Sequence, residues 1–570
     1  MRIVSFVLCM LLGLWFAGDF VLAQETRAII TGTVTDPQGA VMPNAKVEIR
    51  NVETNVATTV YTNDAGFFSS PPINPGQYSM TVSASGFKTT VRSGIDLRVG
   101  DRVALDFPMQ LGGTQETVSV TAEAPMLETS TASHSSTINR DLVASLPTYA
   151  RNVFELVRYT AGVQGAARST FGQRPFDNGD GSVSIAGGRS DTNEILMDGS
   201  PITYRETGTP GNAASPPPDA VAEVKVQTNL YDAEYGRTGG GVITLSLKSG
   251  TNDFHGVASW LLRNDVLNAN TFESNAGGGR NTTFKMNEPT VQFQGPVFIP
   301  KLYDGRNRTF FMYALDVYRN SRPNYTTMIV PSDLQRVGDF SRTYVSGVSG
   351  ATISVFDPMT TVQNGTTYTR TPFPGGKIPS SQINPIASKL MSLVLQPNLA
   401  NIPRGQPNRM DTPNFDHEPF NSHVWRGDHA LTEKHKLFVS GTYNHRGQTN
   451  GLGYGLQAYE AAGTPYVSSS YKHWRTNTSM AVNLTSMLSP SLVATTRLSW
   501  ARHEFAIDLY GFQSTPMELG YPPSLAAQAQ SVSFPAYLIG GYTDIGPTRS
   551  GGNILNFRDT GSIGETVSKI

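Results

Sequence analysis

Short runs in which apolar and polar residues alternate recur along the chain, and turns rich in Gly, Pro and Asn separate them. Between residues 24 and 113 the turn signals include residues 36–39 (Asp-Pro-Gln-Gly) and 74–77 (Asn-Pro-Gly-Gln), which suit type I and type II turns. Several short strands with turns about every 8–12 residues are typical of an all-β sandwich. The strands predicted for this sandwich are residues 28–35, 46–51, 56–62, 76–85 and 102–108.

Alternating segments of roughly ten residues follow position 251. Near residue 440 they place Leu437, Val439 and Tyr443 on one face of a strand, and Lys436, Ser440, Thr442 and Asn444 on the other. A membrane barrel and a soluble sandwich both produce this alternation, so the pattern predicts strands without choosing between the two. The predicted strands are residues 252–262, 290–299, 308–318, 421–431, 435–445, 471–487 and 491–505.

Composition favours β structure as well. Charged residues make up 16% of the chain, against roughly 25% in typical soluble domains. Long amphipathic helices need Glu, Lys, Arg, Ala and Leu, so this composition excludes a helical solenoid or coiled coil. The 44 Lys and Arg residues nearly balance the 45 Asp and Glu residues, which argues against a nucleic-acid partner.

The N-terminus has the pattern of an export signal. Arg2 precedes an apolar run over residues 3–17, and small residues end the segment at Ala23. A retained membrane anchor is the alternative, but the run is shorter than the roughly 20 residues that span a bilayer. We therefore predict a signal peptide at residues 1–23. The single cysteine, Cys9, lies inside it, so the mature chain would have no disulfide and no thiol chemistry.

Residues 24–113 contain a series of short motifs that match one known domain: Gly32-Thr33-Val34, Gly39, Pro43, Ala45-Lys46-Val47, Thr62, Gly66-Phe67, Pro75-Gly76-Gln77-Tyr78 and Ser85-Gly86-Phe87. Together they resemble the carboxypeptidase regulatory-like domain, a prealbumin-like β-sandwich, which implies a structural module. A zinc carboxypeptidase would need a His with a Glu three positions later, and none of the nine His residues has one. A spacer is the default interpretation of this sandwich, and sugar binding is the alternative.

Residues 137–250 begin with a helical stripe of Val153, Leu156 and Val157. Three collinear motifs follow, at residues 184–189, 195–199 and 233–243, and their glycines would let backbone segments approach closely. Together these features resemble the plug domain of TonB-dependent transporters, which implies an α+β plug. The motif residues to which we assign a structural role in the plug are Gly188, Arg189, Asp198, Gly199, Glu234, Tyr235 and Gly236.

A β-prone stretch, residues 117–121, lies between the sandwich and a polar tract. Composition alone favours the last strand of the sandwich. The stretch also resembles a TonB box, the segment with which the energy-coupling protein TonB pairs, and a plug-like segment follows it. We therefore predict that residues 114–136 are a TonB-box-like segment and linker. The residues predicted to bind TonB are Thr117, Val118, Ser119, Val120 and Thr121.

Residues 251–570 resemble the N-terminal part of an Oar-like outer-membrane barrel, through residues 296–300, 308–313 and 426–438. The polar, Pro-rich stretch from about residue 319 to 421 suits an extracellular excursion. Barrels with a plugged lumen have about 22 strands, whereas only about seven are recognised here. The chain also ends at Ile570, without the terminal aromatic residue that the resemblance implies. The sequence therefore predicts an incomplete barrel, part of a longer transporter.

No catalytic or metal-binding motif is readable. A Gly-x-Ser-x-Gly elbow, the anchor of a hydrolase triad, is absent. His417, His423, His429 and His435 recur every six residues but span too many positions for one ordinary strand, so we interpret them as lumen- or loop-facing residues rather than metal ligands. We expect no enzymatic reaction and no cofactor.

These patterns predict a mainly β protein: a prealbumin-like sandwich, an α+β plug and a partial antiparallel transmembrane barrel. The resemblance implies the outer membrane of a Gram-negative-type bacterium, with the N-terminal domain in the periplasm. It also implies energy-coupled uptake or export of an unidentified ligand, a siderophore, oligosaccharide or peptide. The implied partners are the TonB energy-coupling complex and outer-membrane lipid. The alternative is a secreted or surface adhesin whose sandwich binds carbohydrate.

Overall fold

The structure is a computed structural model. It describes residues 27–113, 117–121, 134–146, 151–165, 183–189, 192–206, 209–212, 216–229, 231, 235, 238–270, 272–276, 284–344, 351–394, 396–399, 406–450, 471–509, 516–528, 535, 537–543, 545 and 554–569. The predicted signal peptide, residues 1–23, lies outside the described residues.

Two sheets form a sandwich at the N-terminal end. Its strands are β1 (Ile29–Thr35), β2 (Lys46–Asn51), β3 (Ala57–Tyr61), β4 (Phe67–Ser69), β5 (Gly76–Ser83), β6 (Thr89–Leu97), β7 (Arg102–Ala104), β8 (Phe107–Pro108) and β9 (Thr117–Thr121). One sheet has the order β4–β1–β7, with β8 also pairing with β1, and the other has the order β3–β2–β5–β6–β9. Alternation along the strands buries Ile30, Ile49, Phe68 and Met80 in one core, which confirms the predicted sandwich.

The second sheet extends beyond the limit predicted at residue 113. Strand β9 runs parallel to β6, with Thr117 opposite Thr89 and Thr121 opposite Ser93. The alternation pattern does not predict β6, because Arg92, Ser93 and Gly94 interrupt its burial pattern. Residues 117–121 are therefore the outermost strand of the sandwich, as their composition suggested.

A mixed sheet with the order β10–β17–β18–β13–β14 forms the middle of the chain. Its helix, Arg140–Ser145, and 3-10 helix, Val153–Tyr159, pack against β17 and bury the predicted stripe. This arrangement confirms the α+β plug. The strands are β10 (His134–Ile138), β11 (Val163–Gln164), β12 (Ser184–Ile185), β13 (Glu194–Met197), β14 (Ser200–Pro201), β15 (Thr203–Glu206), β16 (Thr209–Asn212), β17 (Val221–Asn229) and β18 (Val242–Leu247), with a further 3-10 helix at Pro218–Ala220.

The rest of the chain is dominated by one antiparallel sheet with the order β19–β20–β23–β27–β28–β29–β30–β31, in which β26 also pairs with β23. Among the described residues this sheet is open, with β19 and β31 at its edges. The strands are β19 (His255–Asn264), β20 (Lys285–Pro296), β21 (Phe298–Ile299), β22 (Tyr303–Asp304), β23 (Thr309–Met328), β24 (Val362–Asn364), β25 (Thr367–Thr369), β26 (Arg409–His417), β27 (Phe420–Ala430), β28 (His435–Asn450), β29 (Tyr471–Ser489), β30 (Leu492–Leu509) and β31 (Ile554–Lys569).

On several strands of this sheet polar side chains are buried and apolar side chains are exposed, the reverse of the pattern in a soluble protein. On β28, Ser440, Thr442 and Asn444 are at most 1% exposed, whereas Tyr443 between them is 43% exposed. The neighbouring strands repeat the pattern: Asn483 and Arg497 are buried, and Met480 is exposed. On these strands most polar side chains face inward and apolar ones outward, which is the arrangement of a membrane barrel rather than of a soluble sandwich. On β23 and β27, the inward-facing Met312, Ala314 and Val424 pack against the plug core instead.

The long excursion is shorter than predicted, because β23 continues to Met328 and β26 begins at Arg409. The described parts of residues 329–408, called the outer segment below, contain the helices Asp333–Arg336 and Pro385–Leu393 and the 3-10 helices Pro358–Thr360, Pro374–Gly376 and Ser380–Gln382. Leu390 and Val394 in this segment pack with Leu519 and Ile545. The remaining short elements are Asp265–Leu267, Phe272–Ala276, Pro516–Leu519 and Pro523–Gln528. No helix among the described residues has the length and apolar content that crossing a bilayer requires.

Candidate functional site

The five residues predicted to bind TonB form the edge of the second sandwich sheet. One side of β9 pairs with β6, and β9 is the last strand in the sheet order. Its other side therefore pairs with no strand among the described residues. Ser119 is exposed and Val118 is partly buried. Since an open strand edge accepts a further strand through main-chain hydrogen bonds, this position is compatible with both interpretations of residues 117–121.

The central plug motif forms a tight hairpin between β13 and β14. Asp198 and Gly199 are its two central residues, with φ values of 47° and 79°. Positive φ at both positions is characteristic of a type I′ turn, for which Asp-Gly is a favoured sequence. The backbone N–H of Asp198 donates to the carbonyl of Leu245, and its carboxylate Oδ1 accepts from the N–H of Leu247. The turn is thus fixed to the neighbouring strand β18.

This turn meets a buried arginine of the barrel sheet. Arg426 Nη1 lies 3.1 Å from Asp198 Oδ1, and the Arg426 guanidinium also makes two 2.9 Å bonds to Asp428. Its Cζ sits 4.4 Å from the centroid of the Phe438 ring. Burial raises the pKa of Asp198 above its ordinary value, and the positive charge of Arg426 opposes that rise. The pair joins the plug to the barrel away from solvent.

Two further contacts lie on the same interface. The fully buried Glu288 of β20 lies 3.5 Å from Arg151 Nε, and Arg151 also pairs with Asp219 of the plug. A Cβ added to Gly199 would lie 2.9 Å from Arg497 Cζ on β30. Hence the inner face of the barrel sheet binds the plug through charge and close backbone approach.

The remaining motif residues hold the plug backbone together. A Cβ on Gly188 would lie 2.9 Å from the Cα of Gly240, so these backbones touch. The exposed Arg189 accepts, through its carbonyl, a hydrogen bond from Thr192 Oγ1. Tyr235 is buried with Leu196 and Val242 in a small cluster. Glu234 and Gly236 lie outside the described residues.

The regularly spaced histidines do not converge. His423 accepts or donates at Nδ1 to the Tyr313 hydroxyl at 2.8 Å, and His435 contacts Ser486 Oγ at 3.0 Å. His429 contacts Thr309, and His417 is the last residue of β26. In the part of the chain that the structure describes, no group of His, Cys, Asp and Glu side chains has the arrangement of a metal site.

Sequence reasoning gives no indication of the contacts that dock the sandwich. The carboxylate of Glu223 on plug strand β17 accepts from the Val99 N–H at 2.8 Å, and Lys225 Nζ lies 3.8 Å from Asp101. Burial raises the pKa of Glu223 to about 7, although the Val99 bond opposes that rise. Asn74 Nδ2 donates to Asp428 at 3.0 Å. The sandwich therefore contacts both the plug and the barrel sheet.

Comparison with protein families matches all three parts of the chain. The outer membrane beta barrel domain matches residues 246–570, the carboxypeptidase regulatory-like domain matches residues 29–110, and the TonB-dependent receptor plug domain matches residues 128–242. A curated relative, the TonB-dependent transporter Oar of Myxococcus xanthus, is 27% identical over 251 residues. That alignment covers 43% of this chain and 22% of the relative.

Solved structures of outer-membrane proteins also resemble the chain. The outer membrane transporter YddB from Escherichia coli aligns with a TM-score of 0.44 and 11% identity, over 76% of this chain and 45% of that one. The siderophore receptor PirA from Acinetobacter baumannii aligns with a TM-score of 0.30 and 13% identity, over 66% of this chain and 48% of that one.

Proposed function

The chain belongs to the TonB-dependent outer-membrane transporters of the Oar-like type, and from this membership we propose that it takes part in energy-coupled uptake or export of a ligand across the outer membrane. One observation carries the proposal: a plug is fixed against the polar inner face of a barrel sheet by the buried Asp198–Arg426 pair. An adhesin that used only its sandwich would have no need for a polar inner face holding a plug.

The plug would be the moving part of this transporter. A transported ligand has to pass the inner face of the barrel, where the Arg426 and Glu288 contacts hold the plug. Movement requires an input of work, because separating a buried ion pair leaves each charge without its partner. We assign that work to TonB, which would draw on the proton gradient of the inner membrane.

TonB would engage the chain at β9. The outer edge of this strand is open among the described residues, and the exposed Ser119 lies on it. A TonB strand would add to this edge by β-augmentation. Force applied to β9 would act first on the sandwich. The Val99–Glu223 contact would transmit it to the plug, and the Asn74–Asp428 contact to the barrel sheet.

In this proposal the sandwich lies on the periplasmic side, and the positions of the strand ends support that assignment. Asp428 lies near the end of β27, and Thr309, opposite His429, begins β23. These strand ends face the sandwich through Asn74. The opposite strand ends carry the outer segment, residues 329–408, which would meet the ligand first.

Site-directed disulfide cross-linking tests the assignment. Beyond the signal-like segment the sequence has no cysteine, so Ser119→Cys introduces a single thiol. Thr59→Cys on β3, the opposite edge strand of the same sheet, is the matched control. We expect a disulfide between the Ser119→Cys variant and a TonB carrying a cysteine in its strand-adding segment, and none from the control. Equal cross-linking of both variants, or of neither, would contradict the proposal.

A further inference from the structure

A cavity lies where the sandwich, the plug and the barrel sheet meet. Its volume is about 120 Å³, and roughly 10–15 Å³ of such volume admits one water molecule. The sandwich contributes Thr58 and Tyr78 to its wall, the plug contributes Lys248, and the barrel contributes Arg308 and Lys436. The cavity therefore has room for a small polyatomic ligand that touches all three parts.

Positive charge dominates the wall of this cavity. Two acidic side chains, Glu53 and Asp428, stand against six basic ones: Arg27, Arg140, Lys248, Arg308, Arg426 and Lys436. Both carboxylate oxygens of Asp428 accept hydrogen bonds from the guanidinium of Arg426. Glu53 lies 3.8 Å from Arg140, at the outer limit of an ion pair. The protein's own carboxylates therefore leave an excess of positive charge here.

Several of the basic groups already have partners. Lys436 donates to Thr58 Oγ1, and Arg27 donates to Thr485 Oγ1 at 2.6 Å. Arg308 reaches the carbonyl oxygens of Ala430 and Leu431. These neutral acceptors satisfy hydrogen-bond donors but carry no compensating negative charge.

Lys248 differs from these residues. Its ammonium makes no hydrogen bond or ion pair with any residue that the structure describes, although its backbone N–H donates to Ala220. Burial lowers the pKa of Lys248, and the nearby charge of Arg140 lowers it further; the negative charge of Asp219, which pairs with Arg151, opposes this only in part. A half-buried lysine beside an arginine is costly unless something negative neutralises it.

We propose that this cavity binds a small oxyanion of phosphate size, held by Lys248 and Arg140 within the field of Arg308 and Lys436. The anion would bridge the sandwich, the plug and the barrel sheet, and so fix the docked sandwich. A metal cation would meet a net positive wall, and an apolar ligand would leave the charges unpaired. Binding of this anion does not depend on the transport proposal.

Isothermal titration with inorganic phosphate tests this site on the full chain in detergent, at constant ionic strength set by chloride. We expect saturable binding of one phosphate per chain. Lys248→Gln should weaken binding at least tenfold, and Lys248→Arg should restore it, because the charge returns. Arg140→Gln provides a second, independent loss of affinity. Lys301→Gln removes an exposed lysine that does not line the cavity and should change nothing.

Thermal unfolding distinguishes a specific site from general salt effects. Phosphate should raise the melting temperature of the wild type and of Lys301→Gln, since a ligand that binds only the folded state stabilises it. The same phosphate additions should leave the melting temperature of Lys248→Gln equal to its value in chloride alone. Absence of saturable binding to the folded wild type would overturn the proposal, and so would equal affinity of the wild type and Lys248→Gln.

Discussion

Asp198 in the plug and Arg426 in the barrel sheet are 228 positions apart in the sequence, yet their side chains form a 3.1 Å ion pair that is almost fully buried. The aspartate occupies a left-handed position in a two-residue turn. The arginine is held in place by two bonds to Asp428 and by the ring of Phe438. Each partner is therefore also held by contacts that do not involve the other, which reduces the entropy lost in pairing them.

Breaking this pair from the arginine side should be strongly destabilising. Arg426→Ala leaves Asp198 buried, and Asp428 partly buried, without a counter-charge, and loss of one partner of a buried pair typically costs about 3–5 kcal/mol. Arg502→Ala is the control, because Arg502 pairs with Asp559 at 2.8 Å on an exposed part of the same sheet. There we expect at most about 1 kcal/mol.

Unfolding of both variants in detergent, followed by circular dichroism, measures the difference. Asp198→Asn should lose much less stability than Arg426→Ala, since Asn tolerates positive φ, still accepts from the Leu247 N–H and leaves Arg426 paired with Asp428. An Arg426→Ala variant as stable as Arg502→Ala would show that the buried pair does not hold the plug.

Gly199 should be intolerant of a side chain for two separable reasons. Its φ of 79° is strained for alanine, which costs about 1–2 kcal/mol, and the new Cβ would lie 2.9 Å from Arg497 Cζ. Gly187 has a similar φ of 78° but no atom within 4 Å of its Cβ position. Gly187→Ala therefore reports the backbone strain alone.

We expect Gly199→Ala to unfold at a lower denaturant concentration than Gly187→Ala. Its loss of unfolding free energy should be larger by about 1 kcal/mol, because Arg497 is held by Asn483 and has little room to move. Equal losses for the two variants would mean that Arg497 shifts without cost and that only the backbone conformation matters at this turn.

Local sequence patterns predict the elements but not their contacts. Alternation along β28 and turn residues such as Asp198-Gly199 depend on neighbours a few positions away, so the sequence indicates them directly. The partner of Asp198 is selected by the packing of the plug against a strand far along the chain, and no local pattern contains that information. The one feature of the sequence that points to such a contact is a charged residue at an inward-facing strand position, such as Arg426.

Two strands illustrate the same limit. Strand β31, Ile554–Lys569, combines Asn556, Arg558 and Asp559 with few apolar residues, so its alternation is weak and its pairing with β30 supplies the structure. Strand β9 has clear β propensity, but propensity cannot distinguish a sandwich edge from a free segment. In both cases the deciding interactions are hydrogen bonds to a distant strand.

The docking of the sandwich on the plug should depend on pH through Glu223. Its pKa is raised to about 7 by burial, whereas an unfolded or undocked glutamate titrates near 4.3. The docked state therefore binds more protons between these values, and its stability falls as pH rises from about 4.5 to 7. The charged groups facing Glu223 are Asp96, Asp101 and Arg98.

Glu223→Gln should remove this dependence, because the amide oxygen still accepts from the Val99 N–H but does not ionise. Limited proteolysis of the segment between sandwich and plug at pH 5 and pH 8 provides the measurement. We expect faster cleavage of the wild type at pH 8 and equal rates for Glu223→Gln. Faster cleavage of both proteins at pH 8, after correction for the pH dependence of the protease, would assign the effect to another group.

Proline substitutions along β9 should separate its two edges. Successive backbone N–H groups of a strand point to opposite sides, so the N–H groups of Ser119 and Val120 serve different edges. One of them points toward β6, which pairs with β9, and the other points to the edge that TonB would use. Proline removes the N–H group and fixes φ.

We therefore expect one of Ser119→Pro and Val120→Pro to lower the melting temperature of the sandwich, and the other to leave it nearly unchanged but to abolish cross-linking to TonB. Both variants are compared with wild type for outer-membrane abundance, sandwich melting and TonB cross-linking. For the cross-linking, each of the three proteins also carries Thr117→Cys. If both variants keep full cross-linking, β9 belongs to the sandwich alone and residues 117–121 do not bind TonB.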